Sequence, residues 1–383
     1  MDLRRLPPSA LACLLALGSV ATGFAQSTPT HDDVPYAFAP VFGGVRTLLL
    51  DIYAPTGGAT FPLGAPSPVV VYIHGGGWLG GSHDVPPAVL LPLRAQGVTI
   101  ASIDYRLSPE RIFPAQIHDV KAAIRFLRAN AAQYGLDPDR FATMGSSAGG
   151  HLAALAATSG NAPELEGAIG DFTDTPSTVI AAVDYYGPTD ILGMMPDVTI
   201  PPGTTINHDA PNSPESRLIG FDGPNEGIGV LRANFANPNP PFPAKVALAA
   251  ALNPITHLDP LDPPIFIAHG TADDTVPIGQ SERLRDAMEA LDLAHCYTAV
   301  PGAGHGPLGR ATDDAMRGFL VARFLAQTPA HCRADLDASG VVDAVDLNLL
   351  LNAWGTAGGD ITGDGGTDAA DLGALLDGWG ACG

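Results

Sequence analysis

The chain has 383 residues, of which 46% are hydrophobic and 15% charged. That apolar content can bury a large core, which excludes wholesale disorder and suits one large α/β domain with a small appendage. Lys and Arg number 19 against 40 Asp and Glu, a formal net charge of −21 that disfavours nucleic acid and anionic membrane surfaces as partners and suits multivalent cations.

Residues 1–25 read as an export signal. Arg4 and Arg5 supply a positive start, and Leu11 to Val20 is apolar but too short to span a bilayer. Gly23 and Ala25 are the small residues expected before a cleavage site. No later segment is long and apolar enough to span a membrane, so the mature protein is expected outside the cell. Export permits disulfides. Cys332 and Cys382 bracket the last segment, and a bridge between them would close a small module. Cys296 reads as a buried small hydrophobe.

Short apolar runs rich in β-branched residues lie at 69–74, 98–104, 141–144, 179–185, 265–269 and 295–300, and are predicted strands. Helical spacing marks 119–130, 151–158, 281–291 and 319–327. Strands alternating with helices predict the α/β class, a mainly parallel sheet with helices on both faces. From 189 to 264 the chain is crowded with Pro, Gly and Asn, which predicts an irregular insertion, either a cap beside the site or a loose surface loop. After Thr328 the composition shifts: residues 331–383 carry nine Asp, no Glu and one Arg. Asp335, Asp346 and Trp354 recur there 25 residues later as Asp360, Asp371 and Trp379. The expected organisation is a signal at 1–25, a catalytic domain at 26–328 and a small module at 331–383.

The predicted strand at 141–144 runs into Gly145-Ser146-Ser147-Ala148-Gly149-Gly150, and a helical pattern follows. This is G-x-S-x-G in a strand–turn–helix context, which lifts Ser147 to the carboxyl edge of the sheet. The predicted strand at 69–74 ends in His74-Gly75-Gly76-Gly77-Trp78. Glycines leave the backbone amides unobstructed, so Gly76, Gly77 and Ala148 are candidate oxyanion donors. A phosphate cradle would need the Lys and Ser/Thr of a P-loop, which this loop lacks. Two further loops follow predicted strands at the same edge. One carries Asp273 and Asp274, the other His305. The order Ser147, Asp, His305 is that of a nucleophile, an orienting acid and a base, with spacing alone leaving Asp273 and Asp274 open.

From about Leu49 to Ala326 the chain resembles the α/β-hydrolase superfamily. Within it the chain is similar to hormone-sensitive-lipase-like esterases and to the feruloyl- and acetylxylan-esterase-like group. The residues that carry this are His74 to Trp78, Asp104-Tyr-Arg-Leu-Ser-Pro109, Phe113-Pro-Ala115 with Asp119, Gly145 to Gly150, Ser213-Pro-Glu-Ser216, His269-Gly-Thr-Ala-Asp273 and Gly304-His305. The resemblance puts the acid on Asp273. It implies a serine esterase with no cofactor for catalysis, acting on acyl groups of polysaccharide or of short soluble esters. A serine peptidase of the same fold and a non-catalytic binding scaffold are the rival readings.

The tail fits two calcium loops. In the first, Asp335, Asp337, Ser339, the Val341 carbonyl, Asp343 and Asp346 stand at positions 1, 3, 5, 7, 9 and 12, with Gly340 at the sharp turn. In the second the same positions hold Asp360, Thr362, Asp364, the Gly366 carbonyl, Asp368 and Asp371, with Gly365 at the turn. Residues 332–382 resemble a dockerin type I module, which implies structural Ca2+ and a cohesin-like or cell-surface protein partner. Ala344, Val345, Ala369 and Ala370 stand where many dockerins carry Ser or Thr.

Overall fold

The computed structural model describes residues 28–85, 87–199, 205–326, 336, 341–355, 361, 367–377 and 379–381. The chain divides into two compact units, Met1–Ala322 and Arg323–Gly383. The expected signal segment and Cys332 and Cys382 lie outside the described residues. No helix among the described residues is long and apolar enough to cross a membrane.

The first unit is built on one eight-stranded sheet. Its strands are β1 (His31–Val41), β2 (Gly44–Tyr53), β3 (Ser67–Ile73), β4 (Thr99–Ile103), β5 (Leu136–Ser146), β6 (Ala181–Tyr185), β7 (Ile265–Gly270) and β8 (His295–Val300). They lie in the order β1-β2-β4-β3-β5-β6-β7-β8. β1 pairs antiparallel with β2, and β2 with β4; every other pairing is parallel. Strands β3, β4 and β6 are buried along almost their whole length, as a sheet covered on both faces requires. The helix Ala148–Thr158 is buried on every side and packs against β3, β5 and β6.

The strand order positions the site. From β3 the chain crosses to β4 on one side, and it returns to β5 on the other. Loops leaving the carboxyl ends of β3 and β5 therefore diverge and open a crevice between neighbouring strands. Ile73 and Gly145 are register partners at that end, so the two Gly-rich turns start side by side.

Three features depart from the sequence expectation. β1 and β2 form an edge hairpin that the apolar runs did not mark. β1 carries Pro35 and Pro40, exposes Phe38 and pairs with shifted register, all features of an edge strand. The segment 189–264 holds four α-helices among its described residues, Pro214–Leu218, Ile228–Ala233, Phe242–Leu252 and Pro254–His257. Pro214, Pro243 and Pro254 sit in the first turn of a helix, where a missing N–H costs nothing, so they start helices rather than break them. Cys296 is 2% exposed but is no free thiol: it is disulfide-bonded, with its partner outside the described residues.

In the second unit, Val341–Val342 pairs antiparallel with Gly380–Ala381. The helices Ala344–Asn352 and Ala369–Asp377 pack around Val342, Leu350, Ile361 and Leu375. The sequence repeat is also a repeat of contacts. Asp346 accepts hydrogen bonds from the amides of Leu336 (2.6 Å) and Asp343 (2.8 Å); 25 residues on, Asp371 accepts from Ile361 (2.8 Å) and Asp368 (2.8 Å). Asp343 and Asp368 each accept from the amide two residues later, at 2.7 Å. Asp335, Asp337, Ser339, Asp360, Thr362, Asp364 and Gly366 lie outside the described residues.

Candidate active site

Ser147 caps the helix Ala148–Thr158 with φ 57° and ψ −126°, a conformation that non-glycine residues rarely adopt. Its neighbours make the turn possible. A Cβ on Gly145 would meet the Gly149 backbone at 2.2 Å, and one on Gly149 would meet the Ile73 carbonyl oxygen at 2.0 Å. The chain can turn this sharply, this close to β3, only with glycine at both positions.

Three distant loops meet at this turn. Ser147 Oγ lies 3.0 Å from His305 Nε2, and His305 Nδ1 lies 2.8 Å from Asp273 Oδ2. Asp273 is buried, and its other oxygen accepts from the amides of Thr275 (2.8 Å) and Val276 (2.9 Å). Burial by itself would raise this carboxyl. The hydrogen bonds from His269 and His305 outweigh it and hold the group well below the usual carboxylate range, so it stays ionised. Asp274 is exposed and, among the described residues, hydrogen-bonds only with the Thr275 hydroxyl, at 3.2 Å. With Asp273 ionised, His305 Nδ1 carries the proton and Nε2 is free to accept one from the serine.

The oxyanion candidates flank Ser147 in one cavity of about 470 Å³. Gly76 has φ 110° and Gly77 φ 62°, both left-handed. A side chain on Gly76 would also strike the Gly80 carbonyl at 2.2 Å. Among the described residues, the amides of Gly76, Gly77 and Ala148 donate to no other group, so they remain available to a ligand oxygen. Motif residues around them act as struts. Tyr105 Oη donates to the His74 carbonyl at 3.0 Å, and its ring stacks on His74. The Arg106 guanidinium forks onto Asp119 at 2.8 and 2.7 Å. Buried Trp78 donates from Nε1 to His151 Nδ1 at 3.3 Å. Burial pushes His151 down to about 4, so it stays neutral and takes no part as a charge.

Two contributors were not singled out by the sequence. Tyr186, at φ 46°, sets its ring edge-on to His305 with centroids 4.7 Å apart. His269 stands behind Asp273, Nε2 to Oδ2 at 3.2 Å. A tyrosine after a strand carries no signal of its own. His269 belongs to a motif whose spacing was read only for its aspartate.

The strand order, with the Ser147 turn after β5 and Asp273 and His305 in the loops after β7 and β8, defines an α/β-hydrolase. Residues 50–288 match the BD-FAE family, and the chain belongs to it. The chain is 32% identical over 243 residues to the esterase LipC of Mycobacterium tuberculosis, a match covering 63% of this chain and 53% of LipC. It spans about half to three-fifths of the length of the mycobacterial esterases LipC, LipQ and LipM. A truncated carbohydrate esterase from gut microbiota is 30% identical with a TM-score of 0.63, over 79% of this chain and 100% of that one. The bifunctional GH43-CE of Bacteroides eggerthii is 34% identical with a TM-score of 0.62, over 76% of this chain and 35% of that one.

Proposed function

We propose that this chain is a secreted serine carboxylic-ester hydrolase that removes acyl groups, acetyl or feruloyl, from polysaccharide or from short soluble esters. The observation that carries the reading is the continuous hydrogen-bonded row from Asp273 through His305 to Ser147 beside unengaged amides. His305 Nε2 takes the proton of Ser147 as its oxygen attacks the ester carbonyl. Asp273 holds the imidazole in the productive tautomer and stabilises the imidazolium. The amides of Gly76, Gly77 and Ala148 receive the negative oxygen of the tetrahedral intermediate, where loss of one donor costs about 3 kcal/mol in the barrier. His305 returns the proton to the departing alcohol, and water then releases the acid by the same steps.

The carbohydrate part of the reading is supported by the carbohydrate-esterase neighbour from gut microbiota and by the dockerin-like tail. Export is supported by the disulfide at Cys296, which needs an oxidising compartment. The tail is read as a calcium-binding docking module for a cohesin-like or cell-surface protein. Its donor set of carboxylates, hydroxyls and carbonyls suits a hard cation, and the buried carboxylates Asp346 and Asp371 stand at matching places in its two halves. Bound calcium would neutralise carboxylate charge in each loop.

The test is turnover of acetylated xylan, methyl ferulate and nitrophenyl acetate by the wild type and by Ser147→Ala. The expected result is hydrolysis of at least one ester, lost by a factor of about 10⁴ or more in the variant. Hydrolysis that survives in Ser147→Ala would overturn the mechanism, and no turnover of any ester would overturn the activity.

A further inference from the structure

His208 and Glu215 belong to the wall of the same cavity as Ser147, yet neither touches the row from Asp273 to Ser147. They pair with each other, His208 Nδ1 to Glu215 Oε1 at 2.9 Å, and are only 1% and 2% exposed. Among the described residues, each keeps one polar atom, His208 Nε2 and Glu215 Oε2, buried and without a hydrogen-bond partner. A buried polar group left unpaired costs about 1–3 kcal/mol. Two such costs stand side by side in a wall otherwise formed largely by glycine backbone and apolar side chains such as Trp78, Ile206 and Val276.

The pair is held firmly in place. Ser213 caps the helix Pro214–Leu218, its Oγ accepting from the Ser216 amide at 3.1 Å, and this fixes Glu215 in the first turn. Pro214 packs against the oxyanion loop, 3.4 Å from where a Cβ on Gly77 would stand. The dyad is therefore anchored to the loop that receives the reacting carbonyl.

Its chemistry selects the occupant. A carboxylate only accepts, so His208 Nδ1 carries the hydrogen of their mutual bond, and in the neutral imidazole Nε2 then presents a lone pair. Both open atoms are thus acceptors. A ligand that completes them brings two donors. An alkyl alcohol brings none, and a carboxylate-bearing alcohol is repelled by Glu215. We propose that His208 and Glu215 are a specificity-determining pair that accepts hydrogen bonds from hydroxyl groups on the alcohol side of the ester, so that esters of polyhydroxylated, carbohydrate-like alcohols are preferred. This rests on the esterase reading and names the substrate class within it.

The experiment compares kcat/KM for a mono-acetylated methyl xyloside, for ethyl acetate and for nitrophenyl acetate in the wild type, Glu215→Gln and His208→Asn, with thermal melts of all three. The wild type is expected to favour the sugar ester over ethyl acetate by about tenfold or more. In each variant the ratio of sugar ester to nitrophenyl ester is expected to fall about tenfold, mainly through KM. A wild type that hydrolyses nitrophenyl acetate but shows no preference for the sugar ester over ethyl acetate overturns the inference and leaves the esterase reading standing. Variants that fold and lose both substrates by the same factor overturn it too, since that is the mark of a merely structural pair. A wild type that hydrolyses no ester at all overturns the esterase reading and the inference with it.

Discussion

His269 and His305 converge on one oxygen of Asp273: Nε2 of the first lies 3.2 Å from Oδ2, and Nδ1 of the second 2.8 Å. The Ser281 hydroxyl, 2.7 Å from His269 Nδ1, donates to it and so keeps the His269 hydrogen on Nε2, facing the carboxylate and the Val276 carbonyl. Asp273 is thereby held from behind while it orients His305. Asp273→Asn is expected to lower kcat by about 10⁴ through the wrong imidazole tautomer. Asp274→Asn should stay within about twofold. His269→Phe, which removes one hydrogen bond to a charged group, should cost about tenfold in kcat. Steady-state kinetics on nitrophenyl acetate measures all three, and equal losses in the two aspartate variants would contradict the assignment.

The nucleophile turn predicts a steric threshold. With the Ile73 carbonyl 2.0 Å from where its Cβ would sit, Gly149→Ala must push the turn away from β3. The expected cost is about 3 kcal/mol or more in stability. Gly160→Ala is the control, since a Cβ there meets nothing within 4 Å, and it should change stability by less than about 0.5 kcal/mol. Urea unfolding midpoints decide the matter. A Gly149→Ala protein as stable as the wild type would mean that the two turns are not packed this closely.

Gly76→Ala separates binding of the oxyanion from the fold of the nucleophile. The φ of 110° and the Gly80 carbonyl at 2.2 Å both oppose a side chain. Displacing the donor loop should lower kcat by about 10²–10³ with a smaller change in KM. A change in KM alone would argue against an oxyanion role for this loop.

His83 gives the fold a pH dependence of its own. Its Nδ1 meets Asp104 Oδ1 at 3.0 Å and its Nε2 meets Asp33 Oδ1 at 2.9 Å. The Asp104 hydrogen bond, aided by Asp33 and opposed by burial, pushes the imidazole up to about 9. An unfolded histidine titrates near ~6.5. The folded value is the higher one, so the contribution is complete below ~6.5 and is lost as the pH rises through about 9. Melting temperatures from pH 6 to 9.5 should fall more steeply for the wild type than for His83→Gln, and parallel curves would refute the pairing.

For the tail, titration of the full chain with calcium should give two bound ions, and one each in Asp346→Ala and Asp371→Ala. These carboxylates hold matching places 25 residues apart in the repeat. Absence of binding heat up to about 1 mM Ca2+ would remove the calcium reading, since that is the weak end of such loops.

What could be read in advance followed from local chemistry. Runs such as Val69-Val-Val-Tyr-Ile73 are buried on both faces, so they are apolar throughout and announce themselves. β1 is half-exposed at an edge and carries proline, so its pattern was too mixed to stand out. The prolines of 189–264 were read as breakers because a proline that starts a helix and one that ends it look alike until the neighbouring turn is known. Cys296 lies in an apolar strand, which hid its disulfide.

The amino-acid order alone determined the parallel strand core, the glycines that only a tight turn requires, and the succession of Ser147, Asp273 and His305 in loops after strands. Each of these is set by sterics or burial within a few residues of chain. Tertiary structure alone decided that His269 braces Asp273, that Tyr186 flanks His305, and that His208 and Glu215 meet beside Ser147 with an atom each left over. Those are relations between loops far apart in the chain, created when the sheet brings its strand ends together, and no local pattern encodes a distance across that edge.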